Sequence, residues 1–300
     1  MKRRSVVALG CALALGSRGE PAAAKPLESS ELLLHDLALS GDPAFGRALL
    51  AVPRQLPEKP ELLLLLHGLG ETVEQTMGAR AFAERYGLLS AVARLTHPPL
   101  TLVDPKHDYF GEGRLAELNQ RLAARPFRCP VLLCPFTPNT YKPGGDEVLV
   151  RFAKFVTGRL KAEAEQRVGA AFPTPRCMIS GVSLGGYLAI ELFLRYPEAF
   201  CALGTAQGAF GPQQAARYAK GIQGACARVG PRRVEILTSS FDPYLKSNEL
   251  FQKHLRQREQ ASRLRVSPGP HDQRWLKESG VIEMLLSAED VFSQRRAEAN

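Results

Sequence analysis

Apolar runs broken by glycine, proline and polar turns divide this chain into strand-sized and helix-sized pieces. Residues 32–35 and 47–52 read as two strands, with Gly41, Asp42 and Pro43 turning the chain between them. Residues 62–66 are five consecutive leucines, the pattern of a strand buried on both faces of a parallel sheet. Residues 73–95 carry apolar positions at helical spacing, and 131–134 form another strand. Asp146 is placed to cap a long helix reaching about residue 167. Strands are then expected at 177–180, 199–203, 234–237 and 264–266, with helices at 184–195, 213–228, 247–260 and 274–292. Strand and helix alternate from about residue 61 onward, which predicts an α/β fold. Its sheet is mostly parallel with helices on both faces, and the N-terminal strands are antiparallel at one edge.

The first 24 residues do not fit this pattern. Lys2-Arg3-Arg4 precedes a short apolar stretch and the small residues Ala22-Ala23-Ala24, the layout of an export leader. Arg3-Arg4-Ser5-Val6-Val7 also suits a twin-arginine route, so Sec and twin-arginine export both stay open. The expected organisation is a leader at 1–24 and one domain at 25–300 in a bacterial periplasm or secreted fraction. Prolines 98, 99 and 105 and Gly111-Glu112-Gly113 mark residues 96–128 as an irregular insertion, with a short helix near 115–123.

Composition narrows the function. The hydrophobic share of 45% and charged share of 23% exclude global disorder. No apolar run is long enough for a stable membrane span. The net charge of +9 is spread along the chain without a dense basic block, so nucleic acid is not the expected partner. Past the leader, Cys129, Cys134, Cys177, Cys201 and Cys226 are odd in number and show no CxxC, which is no disulfide framework. Cys201–Cys226 is the one pairing left open.

Gly181-Val182-Ser183-Leu184-Gly185 carries the chemistry. An apolar strand runs into this GxSxG and a helix leaves it, the context of a nucleophile elbow. A serine hydroxyl needs a base to take its proton and an acid to orient that base. Asp242 and His271 each follow a later strand, in the order serine, acid, histidine. Ser183, Asp242 and His271 are therefore the catalytic candidates. Asp272 is a lesser candidate acid, and His35, His97, His107 and His254 show no comparable setting. The oxyanion donors are expected from the N–H of Leu184 and from the loop His67-Gly68-Leu69-Gly70, with Leu69 first and Gly70 next. No histidine pair shows metal-ligand spacing.

Assembled, these residues resemble the α/β-hydrolase superfamily and, within it, the bacterial esterase group of the esterase D type. The resemblance covers about residues 45–295 and rests on HGLG at 67–70, GVSLGG at 181–186, Asp242-Pro243 and His271-Asp272-Gln273-Arg274-Trp275. The last segment departs from the group's His-Asp-Trp ending by placing the tryptophan two positions later. The resemblance implies hydrolysis of an ester or thioester through an acyl-Ser183 intermediate, without cofactor. S-formylglutathione, feruloyl esters and polyester oligomers all fit. His67, Tyr109, Phe136, Tyr141 and Trp275 are the candidate substrate contacts, with 96–128 and 135–145 as candidate cover over the site. Thioesterase, amidase or peptidase, acyltransferase, and a non-catalytic binding relative are the alternatives, and the oligomeric state stays open.

Overall fold

The computed structural model describes residues 27–299, so the leader expected at 1–24 lies outside the described residues. β1 (Leu32–Ala38) and β2 (Arg47–Pro53) precede the all-leucine β3 (Leu62–Leu66). Three short helices, α1 (Gln75–Ala79), α2 (Ala81–Glu84) and α3 (Leu88–Thr96), and then α4 (Arg114–Ala124) lead to β4 (Val131–Pro135). α5 (Gly145–Phe155) continues through a π-helical turn into α6 (Lys161–Val168), and β5 (Cys177–Gly181) turns directly into α7 (Leu184–Arg195). The order then runs β6 (Ala202–Ala206), α8 (Ala215–Val229), β7 (Arg233–Phe241), α9 (Leu245–Arg256) and β8 (Ser262–Pro270). α10 (Gln273–Trp275) and α11 (Val281–Ala299), joined by another π-helical turn, close the described chain.

The eight strands form one sheet in the order β1-β2-β4-β3-β5-β6-β7-β8. β1 and β2 are antiparallel to each other, and β2 is antiparallel to β4, while every pair from β4 to β8 is parallel. This matches the α/β layering and the antiparallel edge expected from the sequence. Strand order reverses around β3, because β4 lies on one side of it and β5 on the other. A crevice opens at such a reversal, at the carboxyl ends of the strands.

Alternate leucines of β3 feed two cores. Leu62, Leu64 and Leu66 join Phe152, Leu188, Tyr218 and Phe251 from α5, α7, α8 and α9 on one face. Leu63 and Leu65 join Phe82, Val92, Leu118 and Phe292 from α2, α3, α4 and α11 on the other. Fully burying each such side chain stabilises the fold by about 1.5–3 kcal/mol. The five cysteines among the described residues are free thiols, Cys201 and Cys226 included.

Several boundaries differ from the periodicity. The single helix expected at 73–95 is three pieces. Glu74 caps the first by accepting from the N–H of Thr76 and Met77 at 2.7 and 2.6 Å, and Gly87, at φ 80°, precedes the third. Gly144, not Asp146, is the N-cap of α5; Asp146 and Glu147 occupy its first turn, where carboxylates complement the helix dipole. β6 begins three residues later than expected, because 197–199 form a 3₁₀ turn and Ala202 pairs with both Met178 and Arg233. The 96–128 segment brings Gly111 against Pro268 and Tyr109 against Gly269, so part of it borders the strand end that leads to His271. Its helix α4 packs on the sheet face beside α11, tied by Arg114 to Glu283 and by Arg121 and Arg125 to Glu289 and Asp290.

Candidate active site

Ser183 stands between β5 and α7 at the strand reversal. Its backbone is held at φ 55° and ψ −115°, strained geometry for any residue but glycine. The surrounding ladder fixes it. Val182 N–H donates to Leu66 O and Ser183 N–H to Ala206 O, both at 2.9 Å, anchoring the turn to β3 and β6. Glycine is required on either side of the turn. A Cβ at Gly181 would stand 2.3 Å from Gly185 O, and one at Gly185 would stand 2.0 Å from Leu66 O.

The two strands that deliver the acid and the histidine run longer than their apolar cores. β7 extends to Phe241, so Asp242 follows its last residue, and β8 extends to Pro270, immediately before His271. Asp242 Oδ1 accepts from His271 Nδ1 at 2.9 Å, and His271 Nε2 lies 3.0 Å from Ser183 Oγ. With a carboxylate on Nδ1, the proton belongs on that nitrogen, which leaves Nε2 as the acceptor for the serine hydroxyl. Asp242 is itself oriented: the Thr238 hydroxyl donates to Oδ2, and Tyr244 N–H donates to Oδ1 at 2.9 Å. The Asp242 side chain is fully buried and His271 is partly exposed, so the open end of the line faces solvent. Asp272 points elsewhere, accepting from the N–H of Arg274 and Trp275 as the cap of α10.

Across from Ser183, β3 ends in the loop Gly68-Leu69-Gly70. The Leu69 amide opens a 3₁₀ turn and the Leu184 amide opens α7, positions whose N–H groups find no acceptor within their own helix. A clamp made of side chains holds this loop. Gly68 N–H donates to the Tyr86 hydroxyl at 3.1 Å, and that hydroxyl donates to Glu71 Oε2. Gln273 Nε2, two residues past His271, reaches Glu71 Oε1 at 3.3 Å and joins the two loops. Burial and the adjacent Glu71 carboxylate push the Tyr86 phenol far above its usual range, so it remains a donor. On the opposite wall Gln207, at φ 49°, donates from Nε2 to Ser239 Oγ at 2.7 Å and to Pro270 O at 3.0 Å. That brace holds the residue just before His271.

These groups border an open cleft of about 270 Å³ that has Ser183 and His271 in its wall. Leu69 and Gly70 line it as well, together with Leu276. The expected substrate contacts fare differently. His67 is buried: Nδ1 donates to Gly68 O and Nε2 accepts from Thr137 N–H, each at 2.8 Å, and burial lowers its pKa to about 4. It is a neutral tie between the loops after β3 and β4. Phe136 packs in the core against His67, with ring centroids 5.6 Å apart. Trp275 is also buried, because its indole N–H finds Ser267 Oγ at 2.7 Å. Tyr109 stacks on His107 beside Gly269, at the approach to His271. Tyr141 is exposed and donates to Ala209 O at 2.9 Å, next to the Ser183 backbone. Among the described residues, no three His, Cys, Asp or Glu side chains gather in a group able to hold a metal ion.

Solved structures share this architecture. A ferulic acid esterase superposes with a TM-score of 0.60 at 15% identity, over 88% of this chain and 99% of that one. An S-formylglutathione hydrolase from Staphylococcus aureus gives 0.56 at 14% identity, over 87% and 100%. The fold is that of the α/β-hydrolases. A feruloyl esterase module from Clostridium thermocellum, complexed with sinapinate, gives 0.56 at 12% identity over 86% and 87%. No family profile matches the chain. No curated protein sequence matches it. Within the α/β-hydrolase frame, Glu71, Tyr86, Gln207 and Gln273 are the site residues that sequence reading missed. Each is a polar residue in or next to a loop; nothing in their spacing marks Glu71, Tyr86 and Gln207 as buried, and Gln273 is exposed.

Proposed function

We propose that this chain is a serine hydrolase that cleaves a carboxylic ester through an acyl-Ser183 intermediate. The observation that carries the reading is the unbroken line from Asp242 through His271 to Ser183, at 2.9 and 3.0 Å, ending on a strained serine. As Ser183 Oγ attacks the ester carbonyl, His271 Nε2 takes its proton. Asp242 holds the Nδ1 proton and stabilises the imidazolium. The amides of Leu184 and Leu69, with Gly70 next, receive the charge on the tetrahedral oxygen, and the Tyr86–Glu71 clamp keeps their loop in place. The intermediate collapses, and His271 returns the proton to the departing alcohol. Water, deprotonated by the same imidazole, then releases the acid and restores Ser183.

The structural neighbours named above are an S-formylglutathione hydrolase and esterases, which favours an ester or thioester over an amide. A cleft of about 270 Å³ suits a short acyl group. The alternatives use the same acyl-enzyme and are ranked by matched ester, thioester and amide substrates. Residues 1–24 are read as an export leader ahead of a single catalytic domain, which a mature mass beginning at Lys25 in the exported fraction tests. The deciding experiment treats the purified protein with a fluorophosphonate probe, read by intact mass and peptide mapping. One adduct on Ser183, lost in His271→Ala, is expected. A folded protein that takes no adduct, and hydrolyses no ester in the panel, overturns the reading in favour of a binding relative.

A further inference from the structure

The chain carries a net charge of +9, yet the wall of the cleft at Ser183 has the opposite sign. Its charged lining residues, beside His271, are the carboxylates Glu71 and Asp272. Asp272 is engaged, accepting from two backbone amides and pairing with Arg274 Nε at 3.2 Å. Glu71 differs. Its side chain is 5% exposed, and its hydrogen-bond donors, Tyr86 and Gln273, are neutral. Among the described residues, the one cation paired with it is Arg85, 3.8 Å away and 42% exposed. A carboxylate removed from water is costly without a counter-charge or a full set of donors, and its two oxygens have room for roughly four.

The carboxylate is also close to the chemistry. A Cβ built on Gly68 would lie 3.2 Å from the Tyr86 hydroxyl, 3.6 Å from Ser183 Cβ and 3.7 Å from Glu71 Oε2, so the serine and the Tyr86–Glu71 pair flank one methyl-sized volume. A substrate group next to the scissile carbonyl on that side meets the Tyr86 hydroxyl and the buried carboxylate to which it donates. We propose that Glu71 sets the substrate class: the site favours esters bearing a protonated amine within a few bonds of the scissile carbonyl, and rejects esters bearing a carboxylate there. This rests on the reading of Ser183 as nucleophile.

Hydrolysis followed by pH-stat at about pH 7 tests it with ethyl butyrate, ethyl β-aminobutyrate, dimethylaminoethyl butyrate and monoethyl succinate. The two amines place the charge on the acyl and the alcohol side. At least one ammonium ester is expected to exceed ethyl butyrate about tenfold in kcat/KM, and monoethyl succinate to fall about tenfold below it, the scale of one charge pair near a protein surface. Glu71→Gln keeps the shape and the Tyr86 contact and collapses both ratios to about one. Tyr86→Phe keeps the charge, lowers all rates alike and preserves the ratios. On the unaltered protein, aminomethyl-phenylboronic acid is expected to bind about tenfold tighter than its carboxy counterpart, a readout independent of how any variant folds. Equal boronate affinities, or ester ratios indifferent to Glu71→Gln, overturn the proposal while ester turnover itself continues. Absence of both turnover and fluorophosphonate labelling overturns the hydrolase reading, and this one with it.

Discussion

Replacing Tyr86 by phenylalanine removes one oxygen and releases two groups. The hydroxyl accepts from Gly68 N–H at 3.1 Å and donates to Glu71, and the side chain is 3% exposed, so water does not readily replace it. A buried amide left without an acceptor costs about 1–3 kcal/mol, and a hydrogen bond to a charged group contributes about 1.5–3 kcal/mol. Glu71 keeps Gln273 and Arg85, which limits the second loss. A net cost of about 3 kcal/mol follows, equivalent to a fall in Tm of roughly 5 °C for a chain of this size. Activity is expected to fall further than stability alone requires. Gly68 opens the loop whose next two amides are the proposed oxyanion donors, and outright loss of such a donor costs about 10²–10³ in kcat. A loosened loop is expected to cost about 10–100-fold in kcat with KM changed less than about twofold. Steady-state kinetics, thermal melting and the Ki of phenylboronic acid, measured together, separate the two effects. If Tm drops as expected while kcat and boronate affinity stay at their original values, the clamp supports the fold without positioning the donors, and the reasoning fails.

Further expectations concern the acid, a buried histidine and the elbow. Asp242→Asn is expected to lower kcat by about 10⁴, whereas Asp272→Asn, which keeps a side-chain oxygen able to cap α10, changes kcat a few-fold at most; the reverse ranking would reassign the acid. His67 is held neutral by burial, with its pKa at about 4 instead of 6.5. Between those values the unfolded chain binds a proton that the native state refuses, so stability declines as pH falls through that window, by up to about 3 kcal/mol. Denaturant midpoints at about pH 7 and pH 5 should therefore differ less in His67→Gln than in the original protein. Gly185→Ala places a methyl group 2.0 Å from Leu66 O. It is expected to yield no folded, soluble protein, and recovery of an active Gly185→Ala would refute the close approach of α7 to β3.

The legible parts of this chain were those where one physical constraint dominates. Five consecutive leucines permit little besides a strand covered on both faces, and Ser183, Asp242 and His271 were recognisable because each follows an apolar strand. The clamp was not legible. Glu71 follows a glycine-rich loop and Tyr86 lies among helix-forming residues, and only the folding of α1 and α2 around that loop brings them together. Trp275 misled for a related reason. Its place after His271 suggested a substrate contact, but Ser267 on β8 satisfies its indole N–H and draws the ring into the core. β6 was misplaced because Gly204 and Thr205, central to its pairing, carry no apolar signal, whereas Phe200 and Cys201 just before it do.

The free thiols provide an internal clock. Cys134 and Cys177 lie in the centre of the sheet, Cys201 at the entrance to β6 and Cys226 on α8, all buried, and burial pushes Cys177 up to about 12 and Cys201 up to about 11. Only a thiolate attacks an alkylating reagent at useful rates, so these four buried thiols are inert to such reagents while the molecule is closed, whereas Cys129 is partly exposed. Labelling at each position then proceeds only as fast as that part of the chain opens, and the four rates map where the sheet separates first.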